Sequence, residues 1–282
     1  MTKLRRSVGP CLVDEPNLSH AWARAMLHAI DHSGTSISPL IVSVTGFDEY
    51  GAPQETPALR DALDTLLVNE GHYDIETVAF TIFPQRLWKI SQGDRAMLFS
   101  LYKDAFPRYQ AMKKRENRRG LYFERMTSFG HGRCEGNQLE WILSQFHSRE
   151  GVRHSMYQAS IFDPERDHVP DARLLFPCLQ HVSFEPTEKG LVVNAFYATQ
   201  QLFVKAYGNY LGVAQLGAFV AHEMNIKLYR VNIFVGVAKF EQISKTAPNL
   251  QPLIKAARAC LSVGNALAVD VEEPATDVET AT

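Results

Sequence analysis

The 282-residue chain has no apolar run near the roughly 18 uninterrupted residues that a membrane helix needs. It also has no excess of one charge, because 29 basic and 31 acidic residues leave a formal net charge of -2. This balance argues against a protein whose whole surface binds nucleic acid. Binding of nucleic acid by a local basic patch stays possible. The N-terminal MTKLRRSVGPCLVDEP has two arginines without an apolar core behind them, a pattern that excludes a secretory signal peptide.

Cysteine is scarce and scattered. The four cysteines lie at positions 11, 134, 178 and 260, and no two of them form a CxxC pair. This spacing argues against a structural zinc site and against a disulfide framework. With 45% hydrophobic and 21% charged residues the composition is that of a globular protein. The sequence therefore predicts a cytoplasmic protein with reduced thiols.

Hydrophobic periodicity predicts both helices and strands. Helical spacing and capping signals predict helices at 17–32, 56–67, 95–114, 138–146 and 213–225. Apolar or β-branched runs predict strands at 40–44, 77–83, 155–162, 181–185, 191–199 and 230–237. Pro107 predicts a kink or a break in the third helix.

The irregular order of these elements predicts the α+β class, with one large mixed β-sheet flanked by helices. We expect a single domain over residues 1–267, because no linker interrupts it. Residues 268–282 are rich in acids and have no aromatic residue, so we expect an acidic, disordered tail.

Cys178 is the first candidate for chemistry. Pro177 restricts the backbone ahead of it, and the polar residues Gln180, His181 and Ser183 follow on an apolar strand. A free cysteine among apolar neighbours is most often inert packing. With polar neighbours it becomes a candidate nucleophile, provided that its surroundings lower the thiol pKa.

A series of motifs surrounds Cys178 in a characteristic order. Along the chain they are Asn137-Gln138, Arg153-His154, Pro177-Cys178, Ser183-Phe184, the turn at 187–190 with the strand LVVNAFYATQQLF, and Asn209 ahead of an apolar helix. Their order and spacing resemble those of the thymidylate synthases and pyrimidine-nucleotide hydroxymethylases. The resemblance covers residues 132–225 and extends more loosely back to Glu76. It implies a thymidylate synthase-like fold in which two subunits dimerise through the sheet.

The resemblance implies a reaction as well. Cys178 would attack C6 of a pyrimidine nucleotide, and the one-carbon unit of 5,10-methylenetetrahydrofolate would be transferred to C5. The product would carry a hydroxymethyl or a methyl group. Glu76 would be the general acid–base carboxylate, and Tyr122 would lie on the folate side of the site.

Other positions are implied to hold the substrate. Asn209 would read the pyrimidine through its amide, and Ser183 replaces the glutamine of the family's Gln-Phe pair. Arg153 would reach across the interface of a homodimer to the thiolate or the substrate phosphate. No membrane partner is expected, and nucleic acid is not the favoured partner.

The chain departs from the family where the sugar and phosphate are bound. The phosphate-binding Arg-Ser aligns with Ala198-Thr199, and a pyrimidine-anchoring Asp aligns with Gln201. The His and Tyr that bind deoxyribose align with Lys239 and Glu241, and the His after the catalytic Cys is Leu179. Lys239 could replace a lost positive charge, and Glu241 could accept hydrogen bonds from a ribose diol. We therefore expect a divergent hydroxymethylase rather than a housekeeping synthase, with the base and the sugar left open.

Two further hypotheses compete with this one. A catalytically degenerate homologue would bind a nucleotide without converting it, in keeping with the altered phosphate site. An RNA-binding module would use the basic run at 113–119, which is otherwise a solvated helix end or a rim that attracts phosphate or polyglutamate. Three of the predicted site residues also have an ordinary structural interpretation: Glu76 as a helix cap, Arg153 as a surface residue and Asn209 as a turn residue.

Overall fold

The computed structural model describes residues 7–117, 119–149, 151–169 and 177–269. Its centre is a seven-stranded sheet in the order β1-β3-β7-β6-β5-β4, with β2 paired to β7 off this path. The strands are β1 Cys11–Glu15, β2 Ser36–Ile37, β3 Leu40–Val44, β4 Gln158–Ser160, β5 Leu179–Thr187, β6 Gly190–Gln201 and β7 Leu228–Lys239. The pairs β1–β3 and β6–β7 are parallel and the others are antiparallel. The predicted α+β class with a large mixed sheet is confirmed at this level.

Helices flank the sheet. They are α1 Leu18–Asp31, α2 Pro57–Asn69, α3 Ile75–Phe80, α4 Gln85–Ile90, α5 Arg95–Met112, α6 Lys114–Asn117, α7 Tyr122–Thr127, α8 Gln138–Ser148, α9 Pro164–Asp167, α10 Ala206–Glu223 and α11 Gln251–Val269. Helix α10 connects the parallel strands β6 and β7 and is buried along most of its length. Within the described ranges, no helix is both long and apolar enough to cross a membrane.

Local capping explains where several helices begin. The side chain of Asn17 accepts a hydrogen bond from the amide of His20 and starts α1, and Asp94 does the same for α5 through Met97. Proline occupies the first turn of α2, where its missing N–H costs nothing. Helix α5 continues through Pro107 as one element, so the expected alternative of two separate helices is wrong, whereas the kink stays a prediction.

The predicted strand at 77–83 is wrong, because this segment begins as helix α3. The side chain of Asp74 accepts a hydrogen bond from the amide of Thr77 and caps the helix. Helix α3 then packs closely on α10. A Cβ at Gly208 would lie 2.6 Å from Cβ of Val78, and one at Gly212 would lie 2.8 Å from the carbonyl oxygen of Ala79. This tertiary contact overrides the β-branched composition of the segment.

The remaining predictions differ mainly at their boundaries. The strand expected at 155–162 shrinks to the three residues of β4, whereas those at 181–185, 191–199 and 230–237 extend to form β5, β6 and β7. The two-residue turn between β5 and β6 is present, and Thr187 pairs with Gly190 across it. Strand β1 and helix α11 were not predicted. The predicted tail lies outside the described residues from position 270 onward.

The two faces of the sheet have different surroundings. On the inner face Val193, Ala195 and Tyr197 of β6 are fully buried, whereas Phe196 between them is 42% exposed on the outer face. Strand register places Phe196 beside Phe234, which is 38% exposed, and continues the row through Ile41 to Leu12. We call these four side chains, Leu12, Ile41, Phe234 and Phe196, the outer apolar row.

A polar row runs beside the outer apolar row. The Ser43 hydroxyl donates to Oδ1 of Asn232 at 2.8 Å, and Nδ2 of Asn232 donates to Oδ1 of Asn194 at 2.9 Å. The amide of Asn194 in turn donates to the hydroxyl of Ser183 at 3.3 Å. These hydrogen bonds link strands β3, β7, β6 and β5 through their side chains, in addition to the backbone ladder.

Candidate active site around Cys178

A cavity of about 480 Å³ opens where β6 and β7 end and β5 begins. Residues of α3, α5, α6 and α7 form its opposite wall, and the start of α10 contributes Asn209. Five residues singled out from the sequence line it, namely Tyr122, Cys178, Gln201, Asn209 and Lys239. The fold thus brings together residues that are up to 117 positions apart, because 239 minus 122 is 117.

Cys178 lies immediately before β5 and faces this cavity. Its backbone carbonyl accepts a hydrogen bond from the amide of Ala198 at 3.1 Å, which fixes the residue against β6. Its Sγ lies 3.7 Å from the hydroxyl of Thr199, within hydrogen-bond distance for sulfur. The register of β5 against β6 shifts between Leu179 and His181, so a β-bulge directly follows the thiol. Bulges commonly re-aim side chains next to active sites.

Tyr122 closes the cavity beside the thiol. Burial raises the pKa of Tyr122 and the neighbouring Cys178 raises it further, while hydrogen bonds with the backbone amides of Leu179 and Cys178 oppose the shift. The phenol therefore stays protonated around neutral pH. It presents to the cavity an aromatic ring and a neutral hydroxyl in contact with the backbone of the thiol residue.

Amide side chains form part of the floor. Asn209 is buried in the first turn of α10, and Gln201 ends β6 beside Lys239 of β7. Gln200, between Thr199 and Gln201, is also among the residues that line the cavity, and the residue as a whole is 2% exposed. Neither Nε2 nor Oε1 of Gln200 has a hydrogen-bond partner in the part of the chain that the structure describes.

Two lysine ammonium groups lie close to the ring of Tyr73. The Nζ atom of Lys113 lies 4.3 Å from the centre of the Tyr73 ring, and that of Lys205 lies 4.5 Å from it. The Tyr73 hydroxyl donates to Glu116 at 2.6 Å. Burial lowers the pKa of Lys205, Glu116 opposes this shift, and Lys113 adds to it. All four side chains line the cavity, so this end combines two ammonium groups, one carboxylate and an aromatic ring.

A buried ion pair supports the wall that carries Tyr122. The guanidinium of Arg125 in α7 donates to both carboxylate oxygens of Asp167, at 2.7 and 2.8 Å. It also donates to the carbonyl oxygens of Ile161 and Arg119. Burial opposes the ionisation of Asp167, but hydrogen bonds from Arg125 and from the Asp163 amide hold its pKa below the usual range. Arg125 lines the cavity with its charge already paired.

Four predicted residues do not line this cavity. Glu76, in the first turn of α3, is 52% exposed and forms an ion pair with Arg60. Ser183 belongs to the polar row of the outer face, and Glu241 follows β7 in an exposed position. Arg153 is exposed and directly precedes a short 3-10 helix, His154–Met156.

Arg153 lies close to the outer face in sequence and in space. The next residue, His154, contacts Glu185 at 2.6 Å, and Glu185 shares its side of β5 with Ser183. The single chain therefore places Arg153 at the border of the outer face and away from the cavity lining. The roles predicted for Arg153 and Glu76 stay predictions.

The sequence analysis missed Tyr73, Glu116, Gln200 and Lys205. A partial signal existed for Glu116, because it lies within the basic run at 113–119, whose Lys113 also lines the cavity and which the sequence allows as a rim that attracts anions. Gln200 directly precedes the predicted Gln201. No local pattern distinguishes Lys205 or Tyr73 from surface residues, since the fold alone brings them together.

Comparison with protein-family models gives no match for this chain. Comparison with curated proteins finds no significant relative either. Among the described residues, no group of three or more His, Cys, Asp or Glu side chains could hold a metal ion. The side chains that line the cavity include a thiol, several amides, three lysines, one carboxylate, the paired guanidinium of Arg125 and tyrosine rings.

Proposed function

We propose that the protein is a folate-dependent one-carbon transferase that hydroxymethylates or methylates C5 of a pyrimidine nucleotide. One observation carries this proposal. The thiol of Cys178 faces a cavity that also contains Asn209, Gln201, Lys239 and Tyr122, four residues that the family resemblance named independently of the structure. A cavity of about 480 Å³ is of the size that small-molecule ligands occupy.

In the proposed reaction the thiolate of Cys178 adds to C6 of the pyrimidine. The C5–C6 double bond breaks as the S–C6 bond forms, and the electron pair moves through C5 onto the C4 oxygen. Amide donors at the ring edge stabilise this negative charge, and Asn209 is suited to that role. C5 would then form a bond to the one-carbon unit that the cofactor supplies when bound, and the C5 proton would pass to a base. Addition of water or hydride at the transferred carbon, with release of the thiolate from C6, would restore the C5–C6 double bond and give the hydroxymethyl or methyl product. Thr199, in contact with Sγ, would position the thiol.

The residues present fit 5,10-methylenetetrahydrofolate. Phe80, Tyr109, Met112 and Leu121 form an apolar and aromatic wall suited to flat rings, and Lys113 and Lys205 offer positive charge for its carboxylates. When bound, this cofactor would supply the one-carbon unit. The protein's own contribution would be to hold the rings against this wall and to exclude water from the thiol.

The acid–base carboxylate needs a second candidate. Glu76 is paired with Arg60 outside the cavity lining, whereas Glu116 is the one carboxylate among the described residues that line the cavity. A general base must come within hydrogen-bond reach of the proton that it moves. We therefore expect Glu116→Gln to lower kcat more than Glu76→Gln does, and the opposite order would return the role to Glu76.

Lysines would replace the arginine that the family uses for phosphate. Ala198 stands where that arginine would be. The cavity instead contains Lys113, Lys205 and Lys239, and none of these three lysines forms an ion pair with a carboxylate among the described residues. Lysine binds phosphate as a point charge without the fork geometry of arginine. Phosphate binding by lysines would tolerate a different sugar or a different phosphate position, in keeping with a divergent substrate.

A homodimer through the outer face would complete the site. The outer apolar row is exposed in the single chain, and adjacent exposed apolar side chains commonly mark an interaction surface. A two-fold interface on this face would bury the row against itself. It would also carry Arg153, at the border of the face, towards the partner's cavity.

Release of tritium from 5-tritiated nucleotides tests the proposed activity. UMP, dUMP, CMP and dCMP are each incubated with methylenetetrahydrofolate and the protein. We expect release with at least one of them, and we expect Cys178→Ser to abolish it. Cys134→Ser is the matched control, because Cys134 is an exposed thiol outside the cavity lining. Binding without release would favour the degenerate homologue, and release that survives in Cys178→Ser would overturn the mechanism.

Subunit complementation tests the dimer. Arg153→Ala and Cys178→Ser are each expected to be inactive, but a mixed dimer would contain one site with both residues intact. Random mixing should then restore about a quarter of the wild-type activity. Sedimentation velocity should meanwhile show that Phe234→Lys is monomeric. A monomeric wild-type protein, or no recovery on mixing variants that do exchange subunits, would contradict the shared site.

A further inference from the structure

Two lysines of the cavity converge on one tyrosine ring. The Nζ atoms of Lys113 and Lys205 lie 4.3 and 4.5 Å from the centre of the Tyr73 ring, so they are at most 8.8 Å apart, the sum of the two distances. Among the described residues, neither ammonium group forms an ion pair with a carboxylate. The carboxylate of Glu116 accepts a hydrogen bond from the Tyr73 hydroxyl instead.

The two like charges act on each other. Burial lowers the pKa of Lys205, Glu116 opposes this shift, Lys113 adds to it, and Cys178 opposes it. Two ammonium groups at this distance repel each other, and an anion bound by both would offset the repulsion. The arrangement therefore favours a negatively charged ligand at this end of the cavity.

The two lysines lie at different depths. Lys205 is partly buried directly before α10, whereas Lys113 is exposed directly after α5. Met112, next to Lys113, also lines the cavity and is 79% exposed, so the cavity opens to solvent here. The positive charges therefore extend from the interior of the cavity to its mouth.

Lys205 is connected to residues that the proposed function assigns to the pyrimidine. Its amide donates a hydrogen bond to the carbonyl oxygen of Gln201 at 3.1 Å, and its carbonyl oxygen accepts one from the amide of Asn209 at 2.9 Å. Two anions of the proposed reaction could reach the lysine pair, namely the phosphates of the nucleotide and the glutamate carboxylates of the cofactor. The position of Lys205 between Gln201 and Asn209 favours the nucleotide.

A chain of phosphates fits this row of charges better than a single phosphate. A chain that begins at Lys205 and leaves through the mouth passes Lys113, whereas a monophosphate has no group that continues outward. The separation of at most 8.8 Å is within the reach of two or three linked phosphates. Lysine binds phosphate as a point charge and does not require one fixed orientation of the chain.

We propose that Lys205, Tyr73 and Lys113 form a polyphosphate subsite, and that the protein binds its pyrimidine nucleotide as a di- or triphosphate. This inference rests on the proposed function and names the class of its substrate. Tyr73 would hold the two ammonium groups against its ring. The phosphate nearest the sugar would contact Lys205, and the outer phosphates would contact Lys113.

Equilibrium binding to the full chain without divalent cations tests this inference. Uridine and cytidine nucleotides and their deoxy forms are each compared as monophosphate and triphosphate. For the base that binds, we expect the triphosphate to bind at least roughly tenfold more tightly, and Lys113→Ala should reduce this ratio to within about threefold. Lys103→Ala is the control, because it removes the same charge from an exposed position of α5 outside the cavity lining.

Glu116→Gln should have the opposite effect. Glu116 is the one carboxylate among the described residues that line the cavity, and it would repel the outer phosphates. Its neutralisation should therefore tighten binding of the triphosphate more than binding of the monophosphate. An equal effect on both nucleotides would show that the outer phosphates lie elsewhere.

The possible failures can be distinguished. A wild-type protein that binds monophosphate as tightly as triphosphate overturns the subsite alone. So does a Lys113→Ala protein that keeps the wild-type ratio but binds polyglutamylated methylenetetrahydrofolate more weakly, and the lysines would then serve the cofactor. A wild-type protein that binds none of these nucleotides overturns the proposed function and this inference together. Binding without tritium release overturns the catalytic proposal and leaves the subsite standing.

Discussion

The inner and outer faces of the central sheet carry apolar side chains from the same strands, but only one face is covered. Phe184 of β5 is fully buried, whereas Phe196 of the adjacent strand β6 is 42% exposed. The alternation of a β-strand sends neighbouring residues to opposite faces. The chain's own helices complete the inner face, and the outer face keeps its apolar and polar rows accessible.

Stability and surface chemistry are therefore divided between the two faces of the sheet. The inner face supplies buried area and supports the cavity at its end. The outer face is held by side-chain hydrogen bonds such as Asn232 to Asn194, which are compatible with solvent and with a polar interface. Substitutions on the inner face should therefore affect the monomer, and those on the outer face should affect association.

The largest contrast is expected from truncating a buried ring. Phe184→Ala should lower the free energy of unfolding by about 3–5 kcal/mol, because it removes a large apolar group and leaves a void. Urea denaturation monitored by circular dichroism measures the change. A loss below about 1 kcal/mol would show that the inner face is packed much more loosely than its burial indicates.

The ion pair behind the cavity gives the next effect. Asp167→Asn should cost about 3 kcal/mol, since Arg125 would keep a buried charge without its counterion. The pKa of Asp167 is lower in the folded protein than in the unfolded chain, where it is about 3.9. The contribution of Asp167 to stability is therefore fully present above the unfolded pKa, and it is lost as the pH falls through the folded pKa.

Unfolding measured at several acidic pH values checks the direction of this pH dependence of stability. The wild-type protein should lose stability in that acid range more steeply than Asp167→Asn does. Asp61→Asn, at an exposed position, is the control and should follow the wild-type curve. Parallel curves for Asp167→Asn and the wild type would show that the carboxylate does not carry the acid sensitivity.

The polar row should give a smaller effect. Asn232→Ala removes the bonds to Ser43 and to Asn194, and it should cost about 1 kcal/mol at this partly exposed position. Thermal unfolding at a concentration where sedimentation velocity shows only monomer measures this cost. A loss several times larger would mean that the row stabilises the sheet and is not mainly a surface feature.

The smallest effect is expected from the outer apolar row. Phe196→Ala should change the unfolding free energy of the monomer by less than about 1 kcal/mol, because the ring is already exposed to solvent. The same variant should weaken self-association, which sedimentation velocity measures. A large loss of monomer stability would remove the contrast between the two faces.

Much of the fold follows from local patterns in the sequence. Alternating valines and isoleucines predicted β7, and the helical spacing that begins at position 17 and the proline at position 57 located two helix starts. The segment at 77–83 was missed because its contact with the glycines of α10 decides its conformation, and residues so distant in sequence leave no local signal.

The site was predictable only in part. Cys178 and Asn209 could be found because a known order of motifs pointed to them, and the structure brings them to one cavity. Lys205 and Tyr73 could not, because their significance depends on a contact that spans 132 positions, the difference between 205 and 73. Gln200 was missed because its lack of partners is a property of the folded chain.

The bulge that follows Cys178 separates the two ends of β5. One extra residue between Leu179 and His181 changes the phase of the strand, so the end that bears the thiol and the remainder that faces outward follow independent alternations. Leu179 pairs with Tyr197 and His181 pairs with Phe196, which are consecutive residues of β6, so Leu179 and His181 lie on opposite faces although a regular strand would place them on the same one. Changes at the thiol-bearing end therefore need not alter which side chains the rest of β5 sends to the outer face.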